Sequence, residues 1–449
     1  MRILIVTEHL EREYLFALLL RRVLKDKKHD VLIANMFFDF FIIEKFQPEI
    51  VFLPYFYKYD DQTISRFLQI NSVKNFISLS WEQLFNQMQI KSKMPVSPPL
   101  NLIFLAWSLE WSEALSKLGI KNQIEVIGHP MWSLYWKSSP IPKIGRYGKQ
   151  NSKLYIENLT WSSFSTQNRM VVPIVSNPQN EIFISRLRRK FILNSKLILK
   201  TFFKEYVDEI EEKPKYWTTF LTKVEISSLV NYEKTFLQSI NNMNRNSFSV
   251  KIRPSATRTR HAMMVKLFKG ANVVRGKPIL FYLRRANVCF SDFSSSAIDS
   301  VLLGVPTYSF SVNKIPDRLQ FKWQRFFDPI VHMNGLVLNN LFKLNQEKLL
   351  RYLFESGFIN DKYFDDLFAI IENLNVQSNN KNIKRLNSKL YQLYLWAWHA
   401  LQSILIVRLL LIKIIPSKLD IRTHTQDFIS FRKYMIYRKL TKLFVVERD

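Results

Sequence analysis

The sequence predicts an α/β protein built from two doubly wound halves, each with a mostly parallel sheet. In the first half, short uninterrupted apolar runs alternate with segments of helical periodicity. Runs of this kind are typical of strands that are buried on both faces. A second alternation of the same type follows a stretch rich in Pro, Gly, Ser and Asn. Together these observations predict two sheets joined by a linker, with ligands bound outside the carboxyl ends of the strands.

Apolar runs give the predicted strands of the first half. They lie at residues 3–6, 30–34, 50–54, 76–79, 102–106 and 124–127. Apolar residues at helical spacing predict helices over 11–25 and 110–118, and Gly119 ends the second of these. Because strands of a parallel sheet need helices on both faces, the first domain is predicted to span residues 1–140.

The remainder of the chain is divided in the same way. Residues 141–180 are the predicted linker, 181–345 the predicted second domain and 346–449 a helical, basic extension. The strands predicted in the second domain lie at 196–201, 249–252, 272–273, 288–290 and 307–310, and its helices at 232–242 and 297–303. Gly304 ends the last helix, and Pro306 prevents it from resuming.

The composition restricts the partners and the compartment. The net charge of +28 should attract polyanions. The charge is spread along the chain without zinc-finger spacing, RNP-like aromatic motifs or Arg/Gly repeats, so no nucleic-acid partner is expected. A single cysteine, Cys289, excludes an internal disulfide and is typical of a reducing compartment. The N-terminal residues have the pattern of a buried strand and not of a signal peptide, which predicts a cytoplasmic protein.

The extension contains an apolar segment at residues 390–415. Its only chargeable residues are His399, Arg408 and Lys413, and it is long enough to span a bilayer. Most of its polar residues fall on one side of a helical wheel, which favours a helix lying in the interface of an anionic membrane. Arg408 falls on the opposite side. Peripheral attachment to the inner membrane and packing on the protein's own body therefore both remain open.

Three serines lie where the second domain would bind phosphate. Ser294, Ser295 and Ser296 stand between the predicted strand at 288–290 and the predicted helix at 297–303. Hydroxyls and free backbone N–H groups at the start of a helix favour an anion, and the helix dipole adds to this preference. The alternative is that one of the serines only caps the helix.

Two cations follow a neighbouring strand. Lys251 and Arg253 are predicted to counter the charge of the same phosphate, because ammonium and guanidinium groups bind phosphate oxygens. The alternative is a solvated basic loop.

In the first domain, carboxylates follow two predicted strands. Glu82 comes after the fourth strand and is the candidate general base, although an acidic residue there could also simply begin a helix. Glu8, after the first strand, is the competing base. Gly128 and His129 form the predicted turn at the end of the first domain. No spacing of metal ligands is present, so no metal is expected.

The serine-rich stretch, Asp299 in the first helical turn and the sequence Gly304-Val305-Pro306 together resemble the donor-binding half of a GT-B glycosyltransferase. The resemblance is greatest to bacterial surface carbohydrate biosynthesis proteins. CDP-glycerol glycerophosphotransferases and polysialyltransferases are more distantly similar. This resemblance covers roughly residues 1–320. It implies two Rossmann-like domains that face each other across a cleft, and a metal-independent glycosyltransferase of surface polysaccharide or lipopolysaccharide assembly.

The resemblance also implies the ligands. A nucleotide-activated sugar would be the co-substrate without a further cofactor, a glycan or glycolipid would be the acceptor, and Asp299 would take the position of a ribose-binding carboxylate. This chain has Arg253-Pro254 where the related proteins have His-Pro, and Gly128-His129-Pro130 where they have Gly-Asn-Pro. The alternatives are a glycerophosphotransferase or sugar-nucleotide epimerase on the same fold, or a non-catalytic scaffold that binds glycan or lipid.

Overall fold

The computed structural model describes most of the first half and selected elements of the second. The described residues are 1–36, 43, 45–56, 64, 67–81, 83, 95–138, 170–174, 248–252, 265, 272–274, 278–284, 286, 288–291, 294–310, 320–331, 337–376 and 397.

The first sheet consists of six parallel strands in the order β2-β1-β3-β4-β5-β6. Its strands are β1 (Arg2–Thr7), β2 (Asp30–Asn35), β3 (Ile50–Leu53), β4 (Asn75–Ser78), β5 (Leu102–Ala106) and β6 (Ile124–Val126). Ile3 and Ile5 belong to one apolar cluster, whereas Leu4 and Val6 belong to another on the opposite face. Burial on both faces explains the uninterrupted apolar runs and confirms the predicted parallel sheet.

The second sheet has the order β12-β13-β11-β10-β7-β8-β9. Its strands are β7 (Met170–Ile174), β8 (Phe248–Ile252), β9 (Asn272–Val274), β10 (Val288–Phe290), β11 (Thr307–Phe310), β12 (Phe327–Val331) and β13 (Val337–Leu344). The pairs from β11 to β9 are parallel, and β13 and β12 extend the sheet as antiparallel strands. The two sheets confirm the predicted α/β class with two Rossmann-like units.

One strand of this sheet lies where the sequence predicts a linker. β7 falls within the predicted linker 141–180, but it pairs with β8 on one side and with β10 on the other. The sequence pattern misleads at this point because Pro173 lies inside the short apolar run. Proline cannot donate to a strand ladder, so its presence argues against a central strand.

Helices cover the sheets and connect their strands. They are α1 (Leu10–Asp26), α2 (Leu109–Lys117), α3 (Trp132–Ser138), α4 (Ile279–Leu283), α5 (Ser296–Leu302), α6 (Gln346–Glu355) and α7 (Tyr363–Val376), with a 3₁₀ helix at Lys322–Phe326. The α5 helix follows β10 and is stopped at Gly304, whose φ is +78°. The strand–helix–strand unit around the serine triplet therefore has the order that the sequence predicts.

The last two helices return to the first sheet. Leu353 of α6 and Leu367 of α7 share a buried cluster with Ile3 and Ile5 of β1. Between these helices, the backbone N–H of Asn360 donates to Ser133 Oγ at 2.9 Å, and its side-chain amide donates to the Ile127 carbonyl at 3.2 Å. The start of the predicted helical extension is thus part of the first domain's core.

The apolar segment 390–415 lies outside the described residues except for position 397. Among the helices that the structure does describe, none combines the length and the apolar character needed to cross a bilayer.

Candidate functional site

The carboxyl ends of the first sheet's strands carry a concentration of polar and aromatic residues. Glu8 and His9 follow β1, Trp107 follows β5, and His129 follows β6. β2 lies on one side of β1, and β3 and the later strands lie on the other. The order in which strands are added to the sheet therefore changes direction between β1 and β3. In doubly wound sheets, ligands bind outside the carboxyl ends at such a reversal. This edge is therefore the candidate site.

A buried network of charges organises the start of α1. The Glu13 side chain is 1% exposed; it accepts the backbone N–H of Glu8 at 2.6 Å and the Arg12 guanidinium at 2.6 and 3.0 Å. Arg12 also lies 3.4 Å from the Glu8 carboxylate. Burial raises the pKa of Glu13, and the positive charge of Arg12 opposes this effect. The backbone bond and the nearby cation fix Glu8, the competing base, at the end of β1.

Lys251 of β8 reaches the first domain. Its ammonium group forms an ion pair with the carboxylate of Glu11 on α1, and the two side chains are 6% and 7% exposed. Both charges have lost water, so each depends on the other for compensation. The sequence predicts Lys251 as a counter-charge for phosphate. In the structure it lies at the junction of the two sheets, where Glu11 already compensates its charge.

Asp299 makes a second contact between the halves. The indole N–H of Trp132, at the start of α3, donates to Asp299 Oδ1 at 2.8 Å. Burial raises the pKa of Asp299 to about 7, and the hydrogen bond from Trp132 counteracts part of that rise. Burial also raises the pKa of the neighbouring Tyr135, and the Asp299 charge adds to that increase. The carboxylate predicted to bind ribose thus lies against the first domain.

The serine triplet bonds partly within itself. Ser294 Oγ donates to Ser296 Oγ at 3.0 Å and accepts the backbone N–H of Ser296 at 3.3 Å. Ser291 Oγ donates to the Ser294 carbonyl at 3.2 Å. Ser295 is exposed, whereas Ser294 and Ser296 are half-buried. The Ser294 hydroxyl therefore bonds to the first residue of α5, whereas Ser295, the residue that precedes the helix, makes no side-chain capping bond.

Gly128 occupies a turn that accepts no larger residue without strain. Its φ is +87°, and a Cβ added there would lie 3.0 Å from the carbonyl oxygen of Phe358 and 3.2 Å from that of Gly357. The next residue, His129, donates its backbone N–H to the same Phe358 carbonyl at 2.8 Å. This turn therefore fastens the end of the first sheet to the returning segment after α6.

The His129 ring is enclosed by aromatic side chains. It stacks on Trp132 with a centroid distance of 4.1 Å and an interplanar angle of 8°, and it meets Trp107 edge-on, also at 4.1 Å. Nδ1 accepts the backbone N–H groups of Met131 and Trp132 at 3.0 and 3.2 Å. Burial lowers the pKa of His129 well below its usual range. The ring is therefore neutral near pH 7.

The structure describes some of the predicted site residues and not others. Glu82 and Arg253 lie outside the described residues. The structure brings Glu8, Lys251, Asp299, Gly128 and His129 to the junction of the two sheets. Sequence reasoning missed the partners that hold them, namely Glu11, Glu13 and Trp132. The acidic first turn of α1 is a visible signal for Glu11 and Glu13, but it is equally typical of ordinary helix starts.

Within the described part of the chain, no group of three or more His, Cys, Asp or Glu side chains is placed to hold a metal ion.

Comparison with known proteins gives structural likeness only. No family model matches the sequence, and no curated protein matches it. The structure of Methanocaldococcus jannaschii UDP-GlcNAc 2-epimerase in complex with UDP-GlcNAc and UDP is 13% identical, with a TM-score of 0.39, covering 83% of this chain and 100% of that one. A second structure of that enzyme is 13% identical, with a TM-score of 0.38 and coverages of 83% and 99%. A Listeria monocytogenes structure bearing the name UDP-N-acetylglucosamine 2-epimerase is 11% identical, with a TM-score of 0.37 and coverages of 86% and 99%. Similarity at this level identifies no activity for this chain.

Proposed function

We propose that the chain is a sugar-nucleotide-dependent glycosyltransferase that builds bacterial surface polysaccharide or lipopolysaccharide. One observation carries the proposal. Two candidate residues of the second half, Lys251 of β8 and Asp299 of α5, contact Glu11 and Trp132 of the first half. A group transfer between two substrates needs such a junction, because donor and acceptor must meet where the two halves face each other.

The nucleotide diphosphate would bind the second domain. Ser295, at the start of α5, is exposed and would offer its hydroxyl to a phosphate oxygen near the positive end of the helix dipole, and Arg253 would add a positive charge. These groups would stabilise the negative charge that develops on the leaving diphosphate without a metal ion. The pairing of Lys251 with Glu11 leaves Arg253 as the main counter-charge among the predicted residues.

The acceptor hydroxyl would enter from the first domain. Its oxygen attacks the anomeric carbon while the bond from that carbon to the diphosphate breaks, and its proton passes to a carboxylate. Glu8 and Glu82 are the candidates for this base. Glu8 lies at the end of β1, and its carboxylate is 3.4 Å from the Arg12 guanidinium.

A thermal-shift series with CMP, CDP and UDP tests the proposal at its first step. Stabilisation by one of these nucleotides, followed by release of that nucleotide from its sugar conjugate only when acceptor is present, supports a glycosyltransferase. Conversion of the sugar conjugate without acceptor would instead identify an epimerase. Transfer from CDP-glycerol would identify a glycerophosphotransferase. No response to any nucleotide would support a scaffold that binds glycan or a membrane surface.

A further inference from the structure

The proposed function leaves one buried polar group in the site unused. His129 is buried, and its Nδ1 accepts the backbone N–H groups of Met131 and Trp132, at the start of α3. Since both of those partners are donors, Nδ1 carries no proton. The neutral ring must therefore carry its hydrogen on Nε2. Within the described part of the chain, that N–H has no hydrogen-bond acceptor.

A second N–H donor in the same aromatic cluster is also unsatisfied. The Trp81 ring lies 6.2 Å from the His129 ring, and its buried Nε1 has no partner among the described residues. By contrast, the indole groups of Trp107 and Trp132 donate to Leu79 and Asp299. Buried N–H groups are rarely left without an acceptor, so an oxygen atom from outside the described residues is needed here.

The charge of the ring decides which kind of oxygen fits. Nδ1 accepts two backbone N–H groups, burial lowers the pKa of His129 well below its usual range, and the Arg12 charge lowers it further, so the ring is a neutral donor. A diphosphate is anionic and is bound most strongly by cations, which a neutral ring does not supply. A sugar hydroxyl is uncharged, accepts from an N–H group and donates to a carboxylate.

We propose that His129 Nε2–H donates a hydrogen bond to a hydroxyl of the sugar carried by the nucleotide. This inference rests on the proposed function and deepens it, because it assigns the sugar-binding part of the site to the end of β6. His129 then serves as a neutral donor of fixed orientation. The backbone of α3 determines its tautomer, and the rings of Trp107 and Trp132 hold its plane.

Two substitutions separate binding from the structural role of the ring. In His129→Asn, the amide oxygen can replace Nδ1 as the cap of α3, but nothing replaces Nε2–H. In His129→Gln, the longer side chain can place an amide N–H near the position of Nε2, but it gives up the capping acceptor. A purely structural role would favour Asn over Gln, whereas a donor role favours Gln over Asn.

The experiment compares each nucleotide with its sugar conjugate by isothermal titration calorimetry. The probe pairs are UDP with UDP-glucose, UDP with UDP-N-acetylglucosamine, and CMP with CMP-N-acetylneuraminic acid. In the pair that the wild-type protein binds, we expect His129→Asn to weaken the sugar conjugate about tenfold and the bare nucleotide by less than about twofold. We expect His129→Gln to retain most of the affinity for the conjugate.

The outcomes distinguish this inference from the proposed function. If the wild-type protein binds no member of the panel, the proposed function fails and takes this inference with it. If it binds a conjugate that His129→Asn binds equally well, only this inference is overturned. Equal weakening of nucleotide and conjugate would place the hydrogen bond on the diphosphate and overturn it too. If His129→Gln loses more affinity for the conjugate than His129→Asn and also has a lower melting temperature, the role of His129 is helix capping alone.

Discussion

The indole N–H of Trp132 and the Oδ1 of Asp299 are 2.8 Å apart, and this hydrogen bond joins α3 of the first domain to α5 of the second. Ala297 and Ile298 of α5 lie in the same buried cluster as Trp132. A polar bond and an apolar contact therefore act at one place between the two halves.

Trp132→Phe should weaken this contact. The substitution removes the donor to a partly buried carboxylate and should destabilise the protein by about 2 kcal/mol in urea unfolding. A double-mutant cycle with Asp299→Ala separates the hydrogen bond from the lost ring volume. Strictly additive effects of the two substitutions would contradict an energetic link between these side chains.

Asp299→Asn should stabilise the protein at alkaline pH. Burial raises the pKa of Asp299 to about 7 from its ordinary value of 3.8, so the unfolded chain loses this proton more readily than the folded one. The resulting penalty on the folded state is absent below about pH 4, grows up to about pH 7 and is constant above. An asparagine avoids it while its amide oxygen still accepts from Trp132.

The melting temperature of the Asn variant should therefore exceed that of wild type by a few degrees at pH 8, corresponding to about 1–2 kcal/mol after allowance for solvent screening. At pH 4 the two proteins should melt together. A difference that does not change with pH would contradict the raised pKa.

Lys251→Met should be strongly destabilising. It leaves the Glu11 carboxylate buried without its cation, and breaking a buried ion pair from one side costs about 3–5 kcal/mol. The double variant Lys251→Met/Glu11→Leu removes both charges and should recover most of the loss. If the double variant unfolds at a lower urea concentration than the single one, the pair is not the dominant interaction at this junction.

Gly128→Ala should destabilise the protein more than Gly119→Ala. Both glycines have positive φ, at +87° and +73°, so the backbone strain of an alanine should lower the free energy of unfolding by a similar amount at each, about 1 kcal/mol. Only at Gly128 would the new Cβ lie 3.0 Å from a carbonyl oxygen, whereas nothing lies within 4 Å of it at Gly119. Equal melting temperatures for the two variants would show that the returning segment is not pressed against this turn.

His129 should remain neutral in mildly acidic solution. Burial lowers its pKa well below the ordinary value of 6.5, so the folded protein resists protonation that the unfolded chain accepts. Stability therefore decreases as pH falls below about 6.5. In protein labelled with ¹⁵N-histidine, the signals missing from His129→Asn should show the Nε2–H form at pH 6. A signal of the charged ring at that pH would contradict this assignment.

The sequence predicts the elements that depend on local pattern. The apolar runs of β1 to β5 predict strands because burial on both faces favours an apolar residue at every position, whereas β6 at the sheet edge is half-buried and contains Glu125. The sequence also predicts the strand–helix–strand unit around Ser294, since Gly304 and Pro306 mark the end of its helix. The sequence does not predict β7, because Pro173 contradicts the usual rule for a central strand. It does not predict the antiparallel strands β12 and β13 either, because their pairing depends on tertiary context.

The candidate site was predictable in its location and less so in its contacts. The rule that ligands bind at the carboxyl ends of parallel strands directs attention to Glu8, His129 and the serine triplet. No spacing in the sequence reveals that Lys251 meets Glu11 or that Trp132 meets Asp299, because the members of each pair are far apart in the chain and belong to different halves of the protein. The tautomer of His129 likewise depends on how the backbone turns into α3.

The return of α6 and α7 to the first sheet has a consequence for biosynthesis. During translation, the strands from β1 to β6 leave the ribosome long before Leu353 and Leu367 are added to the chain. These two residues complete the core around Ile3 and Ile5. Domains that are continuous in sequence can fold during translation in the order of their synthesis. Here the nascent amino-terminal half must wait, with part of its apolar surface uncovered, until residues 346–376 have left the exit tunnel.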